Sequence, residues 1–284
     1  MQPYFFSKDF ENDLPYTDLA CERRRVNTTI AGIDYKREIG LGGIWERIKI
    51  SSEEGARSIG RPIGIYDTLE LERMDRLDDE EIEDAADEVA RELCYLLDVA
   101  EVIPDKLLIV GLGNPTLTPD AVGAESAKRV KPTMHIKEMD EHAFRTLECS
   151  EIAVTTPGVA ATSGMDAYIT IRGICDTIDP DAVIIVDALT ARSPERLGKT
   201  IQICNTGILP GGGLGNARIE LNQKSLGAPT IAIGVPTVIN SRAFKDGESS
   251  LVDGMFVSPK EIGQIVSAAG KIIGGGINQA FGVF

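Results

Sequence analysis

The chain has 284 residues, a hydrophobic fraction of 43% and a formal net charge of −15. The strong negative charge argues against a protein that binds nucleic-acid phosphates, so we expect no nucleic-acid partner. No stretch reaches the roughly 20 apolar residues that a membrane span requires, and the first residues lack the charged start and apolar run of a signal peptide. We therefore expect a cytoplasmic globular protein that has no membrane partner.

The amino-terminal part of the chain begins irregularly and then turns β-like. Residues 1–16 mix aromatic and acidic side chains without periodicity, and they are predicted to form an arm rather than a regular element. Residues 44–71 have the pattern of strands, interrupted by the polar stretch 51–60. This part of the chain is therefore predicted to be a small β-containing unit.

The next segment carries clear helix signals. Residues 78–102 are predicted to form a helix, because Asp78 and Glu81 make a capping-box pattern ahead of apolar residues at helical spacing. Beyond it the pattern predicts strands at 107–110, 151–155, 182–186, 201–204 and 230–235, and helices at 163–178 and 259–281, the last loosened by three consecutive glycines. Strands that alternate with helices indicate an α/β fold with a mainly parallel sheet and helices on both faces.

Two aspartates follow strands of this predicted sheet. Thr118 is predicted to cap a helix that has Pro119 at its first position and Asp120 just inside it. Asp187 follows the apolar run 183–186. In the common strand order 2-1-3 the first and third strands are neighbours, and ligands bind beyond the carboxyl ends of parallel strands. We therefore expect both carboxylates to open into one crevice.

A pair of carboxylates in one crevice suits the hydrolysis of an amide bond. Two like charges held close together share a proton, so the ionised member can draw a proton from water while the protonated member donates one to the leaving nitrogen. This chemistry requires no metal ion and no cofactor, and we expect neither. The same pair could instead hold a divalent cation, and an aspartate in the first turn of a helix also complements the helix dipole.

Two glycine-rich loops fail to match nucleotide-binding motifs. The loop 111–116 begins like the dinucleotide-binding pattern but contains Pro115, and the loop 211–216 ends in Asn216. Each is interpreted as a loop whose backbone passes close to a neighbour, either the main chain of a substrate or packed protein. The residues expected to contact substrate main chain are Gly113, Asn114, Gly211, Gly212 and Gly213.

Several stretches of the sequence resemble the germination protease family of spore-forming bacteria. The matching stretches are Thr17–Ala20, Gly111–Asn114, Thr118–Asp120, Asp187–Leu189, Ala191–Arg192, Pro210–Asn216 and Ile231–Val238. They follow the order of the family and cover most of the chain. Their combination is specific, whereas the first glycine stretch alone also occurs in peptidyl-tRNA hydrolases.

The resemblance implies an endopeptidase that initiates the degradation of small acid-soluble spore proteins during germination, in the spore core. It implies a self-processing zymogen whose pro-segment is about residues 1–16, leaving residues 17–284 as a single protease domain. It also implies a homotetramer and a fold related to hydrogenase maturation proteases. The essential aspartates of the family fall on Asp120 and Asp187.

Two alternatives to this function are compatible with the same residues. The first is a metal-dependent maturation-type endopeptidase that uses Asp120 and Asp187 as ligands. The second is a binding or regulatory protein that keeps the fold and has no catalytic activity. Chelation and assays of self-trimming distinguish these alternatives from the aspartate-dependent protease.

Overall fold

The computed structural model describes residues 16–23, 30–211, 219–241 and 255–283. Of the predicted amino-terminal arm only Tyr16 falls in these ranges. The strands are β1 (Ile33–Ile39), β2 (Ile44–Ile50), β3 (Gly64–Glu70), β4 (Lys106–Gly111), β5 (Glu151–Thr155), β6 (Ala182–Ala191), β7 (Thr200–Cys204), β8 (Thr230–Asn240) and β9 (Phe256–Val257). The helices are α1 (Glu53–Ile59), α2 (Asp79–Val99), α3 (Val122–Ala127), α4 (Met134–Met139), α5 (Glu141–Thr146), α6 (Ala160–Ser163), α7 (Ala167–Ile178), α8 (Gln223–Leu226) and α9 (Ile262–Ala280).

Within the described ranges all the strands belong to one sheet, in the order β1-β2-β3-β7-β8-β6-β4-β5, with β9 paired to β8. The pairs β4–β5, β4–β6 and β6–β8 are parallel, so the predicted α/β class with a parallel core is confirmed. The neighbours β5, β4 and β6 follow the predicted order 2-1-3. The amino-terminal strands are not a separate layer, because β3 pairs with β7 and extends the same sheet in antiparallel fashion.

Helices cover both faces of the parallel core, as the continuous apolar runs of its strands predicted. Along β6, Ile184 and Val186 pack in the cluster that includes α2, α3 and α9. The alternating residues Val183 and Ile185 face α7 and α8. By the same alternation Asp187 lies on the α7 face. No helix in the described part of the chain is long and apolar enough to cross a membrane.

The two longest helices pack against each other. The predicted capping box at the start of α2 is present, with both Asp78–Glu81 bonds at 2.9 Å. The glycine run 274–276 does not loosen the last helix, because α9 continues without interruption through it. A β-carbon at Gly276 would lie 2.8 Å from the carbonyl oxygen of Ala86, so the missing side chain is what lets α9 approach α2.

Two local predictions differ from the structure. The polar stretch 51–60 contains α1, for which the Ser52 side chain supplies an N-cap that substitutes for apolar periodicity. The helix predicted at 163–178 is divided into α6 and α7. Gly164 ends the first of them in a left-handed conformation, and Asp166 caps the second.

Candidate active site

Asp120 lies in a 3-10 turn, Thr118–Asp120, between β4 and α3. The prediction that Thr118 caps an α-helix is wrong. Its side chain makes no capping bond, and the α-helix begins only at Val122. The carboxylate of Asp120 instead accepts a hydrogen bond from an earlier residue of the same loop, Asn114. This bond closes the loop before α3 begins.

The loop after β4 holds this carboxylate in place. The main-chain N–H of Asn114 donates to Asp120 Oδ2 over 2.8 Å. Gly113 has a φ of 95°, and a β-carbon there would lie 1.9 Å from the Asp120 carbonyl oxygen. The side chain of Asn114 in turn accepts a bond of 3.0 Å from the N–H of Thr116. Of the two interpretations of this loop, close packing is the one seen at Gly113. The residue against which it packs is Asp120.

Asp187 is buried inside β6, with 6% of its surface exposed. The predicted strand end at 186 is wrong, because β6 continues to Ala191 alongside β8. On the other side the ladder between β4 and β6 stops at the pair Gly111–Val186. Asp187 is thus the first residue of β6 beyond its β4 neighbour. The N–H of Ala188 donates to its Oδ1 over 2.9 Å.

The segments that carry the two aspartates are directly joined. The N–H of Leu112, in the loop that leads to Asp120, donates over 2.8 Å to the carbonyl oxygen of Val186, the residue before Asp187. The 3-10 turn of Asp120 packs beside both β6 and β8. Asp120 therefore lies in the turn that follows β4, and Asp187 lies in the neighbouring parallel strand β6, just beyond the end of the β4 ladder.

A row of three residues crosses the sheet at the level of Asp187. In the strand registers, Gly234 of β8 is opposite both Asp187 of β6 and Gln202 of β7. Since adjacent strands lie about 4.8 Å apart, the backbones of Gln202 and Asp187 are separated by about 10 Å. Gly234 places no side chain between them, because the side chain of Leu189 fills that space, 2.4 Å from where a β-carbon of Gly234 would be. A pocket beside this row is lined in part by Leu189, Gln202, Gly234 and Asp18.

The start of the described chain is bound to this same region. The N–H of Asp18 donates to the Thr190 carbonyl oxygen over 2.8 Å, and the N–H of Thr190 donates to Asp18 Oδ2 over 2.9 Å. The side-chain amide of Gln202 bonds to the main chain of Ala20 and Asp18, at 2.7 and 3.3 Å. The stretch thus reaches from β6 to β7.

Glu22 adds a second attachment of the chain start to the end of β6. Its carboxylate accepts bonds of 2.7 Å from the N–H of Arg192 and 2.8 Å from the N–H of Ser193. The hydroxyl of Thr17 donates to the same carboxylate. The stretch that begins at Thr17 and the end of β6 are therefore in contact. The stretch Ile231–Val238, which also carries the family resemblance, lies in β8 and pairs with β6.

The remaining predicted substrate contacts lie in the second glycine loop. Gly211 has a φ of 65°, whereas Gly212 and Gly213 lie outside the described residues. Gln202 was missed by the sequence reasoning, although a single amide between Ile201 and Ile203 in a buried strand is an available signal. Among the described residues no group of three or more His, Cys, Asp or Glu side chains is placed to hold a metal ion.

One solved structure resembles the chain only distantly. It is a NiFe hydrogenase maturation protease from Thermococcus kodakarensis, with a TM-score of 0.38 and 17% sequence identity. The superposition covers 64% of this chain and 96% of that chain.

Sequence comparisons identify much nearer relatives. The germination protease of Clostridium perfringens is 32% identical over 312 residues, covering 93% of this chain and 94% of the relative. That of Caldanaerobacter subterraneus is 38% identical over 229 residues, covering 79% of this chain and 69% of the relative. The family model described as germination protease matches residues 16–249. The chain therefore belongs to the germination protease family and is an endopeptidase.

Proposed function

We propose that Asp120 and Asp187 together form the catalytic pair of this endopeptidase. The observation that carries the proposal is the parallel pairing of β4 with β6, which brings the loop that leads to Asp120 beside the part of β6 that contains Asp187. The bond between Leu112 and Val186 fixes the two segments to each other. Because β4 stops at Gly111 while β6 continues, Asp187 has no β4 residue paired beside it.

The chemistry assigned to the pair is the activation of water. One carboxylate, in its ionised form, removes a proton from a water molecule that attacks the carbonyl carbon of the peptide. The other, in its protonated form, donates a proton to the nitrogen that leaves. Asn114 and Gly113 hold Asp120 in position for this step, and the burial of Asp187 strengthens its electrostatic interactions with the reacting groups.

The proposed substrates are small acid-soluble spore proteins, cleaved in the spore core during germination. Family membership supports a spore protein as substrate in general terms. The proposed contacts with the substrate main chain are Gly113, Asn114, Gly211, Gly212 and Gly213.

The enzyme is proposed to act as a homotetramer, so light scattering should give four times the chain mass of 30.6 kDa.

The enzyme is further proposed to be made as a zymogen. Removal of a pro-segment of about residues 1–16 leaves residues 17–284 as the protease domain. This is supported by the path of the chain at its described start. Thr17, Leu19 and Ala20 are fully buried, and Asp18 between them is bonded to Thr190 of the strand that contains Asp187.

The proposal is tested with the variants Asp120→Asn and Asp187→Asn. Each should lower the rate of cleavage of a small acid-soluble spore protein, and of self-trimming, by at least about 100-fold, because general acid–base catalysis contributes roughly 10²–10⁴-fold. The thermal unfolding midpoint should stay near that of the wild type. The matched control is Asp87→Asn, on the exposed face of α2, which should trim and cleave normally.

Two results would count against the proposal. If either site variant cleaves at the wild-type rate, that aspartate is not catalytic. If a chelator removes the activity of the wild type and one divalent metal ion restores it, the two aspartates act as metal ligands rather than as an acid–base pair.

A further inference from the structure

Gln202 is a buried amide in the middle of an apolar strand. Its residue is 7% exposed, and its neighbours Ile201 and Ile203 are fully buried. An amide in such a place costs free energy unless both of its ends are hydrogen-bonded. Here both ends are hydrogen-bonded to main-chain groups of the chain start. The cost of burying the amide is therefore offset by that segment and not by the neighbouring strands.

The bonds of Gln202 recognise backbone rather than side chains. Its Oε1 accepts from the N–H of Ala20 over 2.7 Å, and its Nε2 donates to the carbonyl oxygen of Asp18 over 3.3 Å. A third main-chain bond, from Asp18 N–H to the Thr190 carbonyl oxygen, measures 2.8 Å. Together these bonds fix the position of the segment along its own direction, as an added strand is fixed at a sheet edge.

This backbone clamp lies two strands away from Asp187, with the backbones of Gln202 and Asp187 about 10 Å apart. Gln202 and Asp187 share the row through Gly234, and Thr190 lies three residues after Asp187 on β6. A slip of the chain start by one residue would change which peptide bond approaches the carboxylates, because the reacting atoms must be held to within about an ångström.

We propose that Gln202 is a positioning residue for self-processing: its amide sets the register in which the chain start is presented to Asp120 and Asp187. The inference rests on the proposed function. Gln202 takes no part in proton transfer. It acts by holding the main chain of Asp18 and Ala20, and Thr17, which precedes them, is thereby kept at one position relative to the carboxylates.

The test follows the full-length chain over time by mass spectrometry, which gives the rate of trimming and the bond that is cut. Gln202→Ala removes both clamp bonds. Gln202→Glu keeps the acceptor for Ala20 N–H and replaces the donor to the Asp18 carbonyl by an oxygen. Both variants should trim at least about 10-fold more slowly, the effect of losing about one hydrogen bond, and should yield additional cut positions. The control Gln264→Ala, on the exposed side of α9, should match the wild type.

The outcomes separate this inference from the proposed function. Trimming of both variants at the wild-type rate and bond would overturn the inference alone. Slower trimming at the single wild-type bond, with a lowered unfolding midpoint, would also overturn it, because that is the result of a purely structural role. If Gln202→Ala does not fold, Gln202→Glu decides. A wild-type chain that stays intact would overturn self-processing and this inference together.

Discussion

Gly113 occupies a backbone conformation that other residues adopt only with strain, at φ 95°. A side chain there would also meet the carbonyl oxygen of Asp120 at 1.9 Å. Gly113→Ala should therefore displace Asp120 and lower proteolytic activity by about 100-fold, the cost expected of a misplacement of about 1 Å. The measurement is kcat/KM on a spore-protein substrate.

Gly173 provides the comparison for this variant. It lies in α7, and a β-carbon there would meet no heavy atom within 4 Å. Gly173→Ala should leave activity unchanged and raise stability by about 0.5–1 kcal/mol. If Gly113→Ala were as active as Gly173→Ala, the loop would not be what holds Asp120 in place.

The site residues differ in how far the sequence could reveal them. Asp120 and Asp187 were singled out as candidates because each comes after the apolar run of a predicted strand, and an apolar run is a local signal. The role of Gln202 could not be foreseen, because its partner Ala20 lies 182 residues away in the chain. A contact of that kind depends on which strands become neighbours, and residue spacing does not contain that information.

A buried charge network joins β2, β3 and α2. Arg47 Nε lies 2.8 Å from Asp67 Oδ1, and Arg47 Nη2 lies 2.7 Å from Glu92 Oε2. Desolvation by burial, followed by a hydrogen bond with Asp67, raises the pKa of Glu92 well above its ordinary value. Glu92 therefore keeps its proton at neutral pH and donates it in the hydrogen bond with Asp67.

This raised pKa predicts a pH dependence of stability. Above its ordinary pKa of 4.5, Glu92 loses its proton in the unfolded chain but keeps it in the folded protein. The contribution of Glu92 to the free energy of unfolding is thus fully present below the unfolded-state pKa. As the pH rises above that value, the free energy of unfolding declines by up to about 1.4 kcal/mol per pH unit. Glu92→Gln keeps a donor to Asp67 but cannot titrate, so its stability should decline less.

Urea unfolding at about pH 6 and about pH 8 measures this difference directly. Glu83→Gln, on the exposed face of α2, is the control and should retain the wild-type slope. An equal slope in the wild type and Glu92→Gln would show that Glu92 is ionised in the folded protein.

The contact of α9 with α2 gives a second prediction for the helices. Gly276→Ala should destabilise the protein by about 1–3 kcal/mol, because the new β-carbon meets the Ala86 carbonyl oxygen and the helices must separate. Gly263, also in α9, has open space around it, and Gly263→Ala should stabilise by about 0.5–1 kcal/mol. Thermal unfolding of the two variants in parallel measures the difference, and shifts of the same sign would contradict the close approach.

An element is predictable from the sequence when the residues that fix its ends are its own neighbours in the chain. The start of α2 was predicted because Asp78 and Glu81 carry the cap within the sequence itself. The full length of β6 was not, because Asp187 to Ala191 remain extended through their pairing with β8 and the chain start. A strand supported by distant neighbours has no local signal for where it ends.

One sheet runs through the whole described chain, from the amino-terminal hairpin of β2 and β3 to the parallel core. Because β3 pairs with β7, the hairpin cannot unfold without exposing the edge of the core. The protein should therefore unfold in one cooperative transition. Trp45 of β2 is the single tryptophan of the chain, so its fluorescence reports the hairpin, while far-UV circular dichroism reports all the elements. Their urea midpoints should coincide, and an earlier fluorescence transition would show that the hairpin is an independent unit.

At the scale of the molecule, the alternation of strands and helices predicted the parallel core and the neighbours β4 and β6. It did not predict the mixed sheet. The amino-terminal strands were expected as an addition, and only tertiary pairing decides that β3 joins β7 instead of forming a layer of its own. Local pattern therefore reveals the class of fold, whereas the end of β6 and the connection between the two halves of the sheet follow from packing.

The order of the site residues along the chain has a consequence for biosynthesis. Asp18, Asp120, Asp187, Gln202 and Gly234 are spread over more than 200 residues, and β6 is completed only when β8 pairs with it. A nascent chain that has left the ribosome only as far as β7 therefore has both aspartates, but Asp187 still lacks the neighbouring strand β8. Translation itself delays the appearance of a working protease until the polypeptide is nearly whole.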